Sequence, residues 1–208
     1  MKKQTLILTT LVAVFIIAQS FVHAAPGDGI KNSAHDFIGD PGWPANVSLC
    51  QPCHTPHFAN TGMKVLWNHA MSNANYTTYK SPYSEKLNMQ GTAEPGVSSK
   101  MCLSCHDGTV ALDNYGGGSD GSSALKITGN ANLGVDLSND HPIGIKYGHN
   151  GPSNCANCHS NSAPKQLKFY EGKVECGSCH DPHNKGEGDK LLRIRRQASE
   201  LCLFCHNK

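Results

Sequence analysis

One short string, Cys-x-x-Cys followed at once by His, occurs five times in this chain of 208 residues and limits its fold more than any other feature. All ten cysteines fall in these copies: Cys50/Cys53, Cys102/Cys105, Cys155/Cys158, Cys176/Cys179 and Cys202/Cys205. The histidines that close them are His54, His106, His159, His180 and His206. Two cysteines at this spacing lie on one face of a helical turn, where their sulfurs form thioethers with the two vinyl groups of a haem. The next residue then reaches the iron as its proximal imidazole ligand. The string therefore predicts five covalently bound haem c groups, each fixed without a deep pocket folded around it.

Other uses of paired cysteines fit less well. A zinc site takes four ligands from two such units, and five units leave one over. Disulfides in an oxidising compartment would give varied spacings and no reason for the histidines. Thioredoxin-like motifs come singly within a βαβ pattern, which is absent here.

The N-terminus reads as an export signal. Lys2 and Lys3 precede an uncharged apolar stretch from Leu6 to Ala18, and Val22-His23-Ala24 forms a small-residue cleavage site before Ala25. The alternative, an uncleaved anchor, is disfavoured because the stretch is short of the roughly 20 residues that span a bilayer. The expected division is thus a signal peptide over 1–24 and a single pentahaem domain over 25–208, with no membrane span. The expected location is outside the cell or at its surface, with the periplasm as alternative.

Composition supports a core built from something other than side chains. Without the signal and the cysteines, about 38% of residues are apolar, against about 45–50% in ordinary domains. Flat apolar haems would supply the missing core. Loss of Lys2 and Lys3 balances the basic and acidic residues, and haem propionates would make the loaded protein negative. No basic run of the kind nucleic acid requires is present.

An iron with one protein ligand keeps an open position, whereas one with two passes electrons only. Outside the signal and the proximal set, six histidines remain: His35, His57, His69, His141, His149 and His183. Six for five irons allow full bis-histidine ligation. His57 and His183 occupy matching strings, CHTPH and CHDPH, three residues after a proximal histidine, and so point away from their own iron toward a neighbour's. His141 is held by Pro142. His35 and His149 rank next, and His69, beside Trp67 and Asn68, ranks last. Methionine ligation by Met63, Met71, Met89 or Met101 stays open.

Regular structure should be sparse. First cysteines of successive motifs are 52, 53, 21 and 26 residues apart, and Gly116 to Ser123 (GGGSDGSS) has neither helical nor strand period. Short helices are expected where serines lead into Cys102 (Ser98, Ser99) and Cys202 (Ser199), as N-caps. One hairpin is expected from Leu167 to Glu175, turning at Glu171-Gly172. The fold class is a multihaem cytochrome, mostly coil with short helices and at most one small hairpin, wrapped round a haem chain.

The strings CQPCHTPH, LWNHA, YTTY, SKMCLSCHDGTVAL, SNDHPIGI, VECGSCHDPH and LCLFCHNK, in that order, resemble the doubled-CXXCH multihaem cytochromes of metal-respiring bacteria. Within that group the chain is similar to extracellular cytochromes that polymerise into haem-stacked nanowires. The resemblance implies low-potential bis-histidine haems in a nearly continuous chain, with His35, His57, His141 and His183 as matching ligands. It further implies a head-to-tail homopolymer in which His57 binds a haem of the next subunit, and exchange with other redox proteins or extracellular acceptors. The family pattern has four haems, so the motif at Cys155, Cys158 and His159 reads as an inserted fifth, and His149 as arriving with it. Electron conduction is the expected function, as filament subunit or monomeric periplasmic shuttle. The competing class is a multihaem reductase with one open iron, which needs two of the six spare histidines idle.

Overall fold

The computed structural model describes residues 25, 27–41, 43–63, 65–80, 94–116, 125–147 and 166–206. The signal segment, the third attachment motif (Cys155, Cys158, His159), His149, Met89 and the glycine-serine stretch beyond Gly116 lie outside them.

Few runs of sequence here repeat an apolar residue with a period of two or 3.6, and the elements are correspondingly short. Helix α1 spans Val97–His106, α2 Cys176–Cys179 and α3 Glu200–Leu203. Each carries cysteines of an attachment motif. Strands β1 (Thr77–Thr78) and β2 (Asp136–Leu137) pair in parallel, and β3 (Ile145–Lys146) pairs antiparallel with β4 (Lys173–Val174). These two small sheets exceed the single hairpin expected. Both pair two residues across a long sequence separation, and strands that short leave no alternation to read.

The hairpin turn itself lies where the sequence puts it. Tyr170 and Lys173 exchange backbone hydrogen bonds of 3.0 and 2.9 Å across Glu171-Gly172. Both central residues have positive φ, 55° and 73°, the conformation of a type I′ turn. Glycine suits the second of these positions because it has no Cβ to crowd the left-handed backbone.

The helix starts differ from expectation. α1 begins at Val97 with Gly96 as N-cap, not at Ser98 or Ser99. The Gly96 N–H donates to both oxygens of Glu175, each at 3.1 Å, and the Ser99 hydroxyl donates to the same carboxylate. A carboxylate from a distant segment thus anchors the first turn of α1, which has no side-chain cap bond of its own. Glu175 also caps α2 in a reciprocal box with Ser178. Ser199 does sit at the N-cap of α3, but in the left-handed region and with no side-chain cap bond.

Buried apolar side chains are few. One cluster joins Tyr76, Leu103 and Leu137, with Ala74 and Ile143 against it. Elsewhere Trp43 stacks on Phe37 at 4.0 Å. Among the described residues no helix is long and apolar enough to cross a membrane.

Candidate haem-binding sites

In each described motif the first cysteine starts a helical turn that brings the histidine back over it. The His54 N–H donates to the Cys50 carbonyl at 2.8 Å, His180 to Cys176 at 3.0 Å and His206 to Cys202 at 2.9 Å. In the second motif the turn is the last of α1. None of the eight described cysteines is in a disulfide. Burial pushes the Cys53 thiol up to about 11, Cys105 up to about 12 and Cys179 up to about 11. The neighbouring Cys176, then burial, raises the Cys102 thiol well above its usual value, and Cys102 lowers that of Cys176 against burial. Among the described residues no group of three or more His, Cys, Asp or Glu converges on a point that would hold a bare metal ion.

The imidazoles come in twos. His35 and His106 have ring centres 6.1 Å apart, His54 and His183 6.2 Å, and His141 and His206 6.3 Å. Each pair joins a proximal histidine to one of the spare ones. A nitrogen–metal bond to histidine is about 2.0 Å, and the ring centre lies about 1.1 Å behind the nitrogen, so two imidazoles in line on one metal have centres about 6.2 Å apart. The interplanar angles are 49°, 18° and 68°, a spread that rotation about the ligand axis permits. The three spacings thus fit one iron between each pair.

The far side of these rings is held as a ligand requires. A neutral imidazole carries one N–H, and a carbonyl that accepts it leaves the other nitrogen's lone pair for a metal. His54 Nδ1 donates to the Val65 carbonyl at 2.7 Å, His106 Nδ1 to Ala131 at 2.8 Å and His180 Nδ1 to Lys190 at 3.1 Å. Among the distal set, His141 Nδ1 donates to the Pro142 carbonyl at 3.0 Å. His183 Nδ1 lies 3.7 Å from Asp181, whose other oxygen is 3.6 Å from Arg193. Burial, then the neighbouring His106, lowers His35 to about 4 and keeps it neutral, against a hydrogen bond to the Pro182 carbonyl that favours the charged form.

His69 is different. It is 1% exposed, with Nδ1 2.8 Å from the Ala70 carbonyl and Nε2 3.1 Å from the Ala111 carbonyl. Backbone carbonyls stand against both nitrogens, of which the neutral ring can donate through one, and this ties the segment after the first motif to the segment after the second. The orienting carbonyls of Val65, Lys190 and Ala131 were missed in the sequence, because backbone acceptors carry no side-chain signature.

His57 is exposed and its ring is in none of these pairs. No curated protein matches the chain. Residues 168–208, which hold the fourth and fifth motifs, match the doubled CXXCH motif family, and this match supports a multihaem c-type cytochrome with covalently bound haem c that transfers electrons.

Proposed function

We propose that this chain carries five haems, each closed by two histidines, and conducts electrons as the subunit of an extracellular cytochrome filament. The observation that supports this reading best is the set of three proximal–distal imidazole pairs at 6.1, 6.2 and 6.3 Å. With both axial positions taken, bound haem supplies a reversible one-electron centre and no vacant site for substrate. The ten cysteines anchor the groups, His54, His106, His159, His180 and His206 serve as proximal ligands, and His35, His57, His141, His149 and His183 as distal ones.

Close spacing of the anchors favours conduction. The second and fourth attachment points are neighbours, since the Cys176 N–H donates at 2.9 Å to Ser99 of the helix that carries Cys102 and Cys105, and His183, just after the fourth motif, stands 6.2 Å from His54 of the first. A filament needs a contact that repeats without closing, and an imidazole offered to the next copy provides one.

Export and assembly belong to the same reading. His57→Ala should abolish filaments while leaving five haems attached, measured by negative-stain electron microscopy of secreted material with a haem count per chain. Filaments that persist with unchanged haem spectra would remove His57 as the link.

A further inference from the structure

The loops that follow the first and fourth attachment motifs share one set of backbone contacts. Phe58 and Asn184 take positive φ, 61° and 51°, and Val65-Leu66 and Lys190-Leu191 form matching left-handed pairs. The Thr55 N–H donates to Leu66 at 3.2 Å in one loop, and the Asp181 N–H to Leu191 at 2.7 Å in the other. Asn68 N–H to Cys53 and Arg193 N–H to Cys179, at 2.9 and 2.8 Å, close both.

Two places in this frame do the same structural work with different chemistry. The backbone N–H of His57 donates to the Thr55 hydroxyl at 3.3 Å, and that of His183 to Asp181 Oδ1 at 3.1 Å. The Asn68 amide donates to the Gln51 carbonyl at 2.6 Å, and Arg193 Nε to the Gly177 carbonyl at 2.8 Å. Each of these acceptors follows the first cysteine of its motif. Thr55 and Asn68 show that neutral residues suffice for both bonds. The two charges of the fourth-motif loop are therefore surplus to its backbone course.

Their position gives them a second use. Asp181 Oδ1 lies 3.7 Å from His183 Nδ1, and Oδ2 lies 3.6 Å from the Arg193 guanidinium. Both charged side chains are nearly buried, at 12% and 10% exposure, so salt screens them little. His183 is the imidazole whose ring centre stands 6.2 Å from that of proximal His54. A carboxylate at the outer nitrogen of a metal-ligating imidazole makes the ring a stronger electron donor, which favours the ferric over the ferrous state. Arg193 is paired with the other oxygen, so it weakens this effect without taking the carboxylate from the ring.

We infer that Asp181 is a positioning residue that lowers the potential of the haem between His54 and His183, and that Arg193 limits how far. The inference rests on the bis-histidine reading of this pair. The exchange it biases moves one electron between neighbouring irons, one passing from ferrous to ferric as the other passes from ferric to ferrous, with no bond made or broken.

The test is a spectroelectrochemical titration of the five-haem protein at constant pH and salt, with electron paramagnetic resonance to follow the ligands. His183→Met marks the haem in question, as the one whose bis-histidine signal is lost. Asp181→Asn keeps an acceptor for the His183 N–H and should raise the potential of that same haem. At a fixed applied potential its reduced-to-oxidised ratio should rise about tenfold, which is about 59 mV for one electron. Arg193→Gln keeps a donor for the Gly177 carbonyl and should lower the same potential. Asp181→Thr, which borrows the residue of the first loop, serves if Asp181→Asn misfolds. Shifts in the same direction for Asp181→Asn and Arg193→Gln would mean that either change only loosens the loop, and would overturn the inference. So would five low-spin haems at their parent potentials in Asp181→Asn, a result that leaves bis-histidine ligation intact. If His183→Met changes no haem signal, the ligand pair itself falls and the inference with it.

Discussion

At the scale of single residues, what separates a ligand from an ordinary histidine is the use of the second ring nitrogen. His54, His106, His141 and His180 each give Nδ1 to a carbonyl, which leaves Nε2 as the lone-pair donor. His69 has a backbone carbonyl against each nitrogen and is sealed from solvent. His183→Ala should open one iron, opposite His54, and nothing else. Carbon monoxide should then bind one reduced haem per chain, with all thioethers intact by mass spectrometry; binding no greater than in the parent protein would mean that His183 is not that ligand. His69→Ala should leave every haem spectrum unchanged and lower stability by about 2–4 kcal/mol through the cavity and the lost hydrogen bond, read in the denaturation midpoint.

At the scale of elements, the molecule joins its short helices through one buried carboxylate. Glu175 is 1% exposed and accepts from Gly96 and Ser99 of the α1 segment as well as capping α2. Glu175→Ala would leave several buried donors without acceptors, at about 1–3 kcal/mol each, so a loss of about 3 kcal/mol or more in urea unfolding is expected. Glu175→Gln, which keeps an acceptor oxygen, should lose less. An equal loss in both would mean that the negative charge rather than the hydrogen bonds holds the two helices. The loop after the fourth motif gives a second test. A Cβ on Gly186 would run into the Leu192 backbone, whereas one on Gly62, in the first loop, meets only the Asn60 side chain at 3.4 Å. Gly186→Ala should destabilise the holoprotein by about 2 kcal/mol or more and Gly62→Ala by under about 1 kcal/mol.

These elements also mark what the sequence made legible. The I′ turn at Glu171-Gly172 and the helical turns at the attachment motifs were readable because their signals are local: a left-handed glycine and a fixed cysteine spacing. The start of α1 at Val97 was not, since the carboxylate that holds its N-cap residue, Glu175, is 79 residues away. The two strand pairs were illegible for the same reason. The matching strings CHTPH and CHDPH were visible, but not that they begin two copies of one loop, because the residues that complete it, Val65-Leu66 and Lys190-Leu191, share little chemistry beyond their backbone angles.

At the scale of the whole molecule, the described side chains bury only small and separate apolar clusters, while pairs of imidazoles stand about 6.2 Å apart between them. On the proposed reading flat apolar haems would fill the centre, with the chain as a jacket that supplies anchors, ligands and orienting carbonyls. It predicts that folding depends on haem attachment: the chain from Ala25 expressed without cytochrome c maturation should lack cooperative thermal unfolding in calorimetry, whereas a sharp transition would mean that the polypeptide makes its own core. The central claim is that every iron is closed by two histidines. Electron paramagnetic resonance of the assembled ferric protein, with haems counted per chain, tests it most directly. Five haems are expected, all low-spin with bis-histidine signals; a stoichiometric high-spin haem in the assembled protein would mean that one iron is left open.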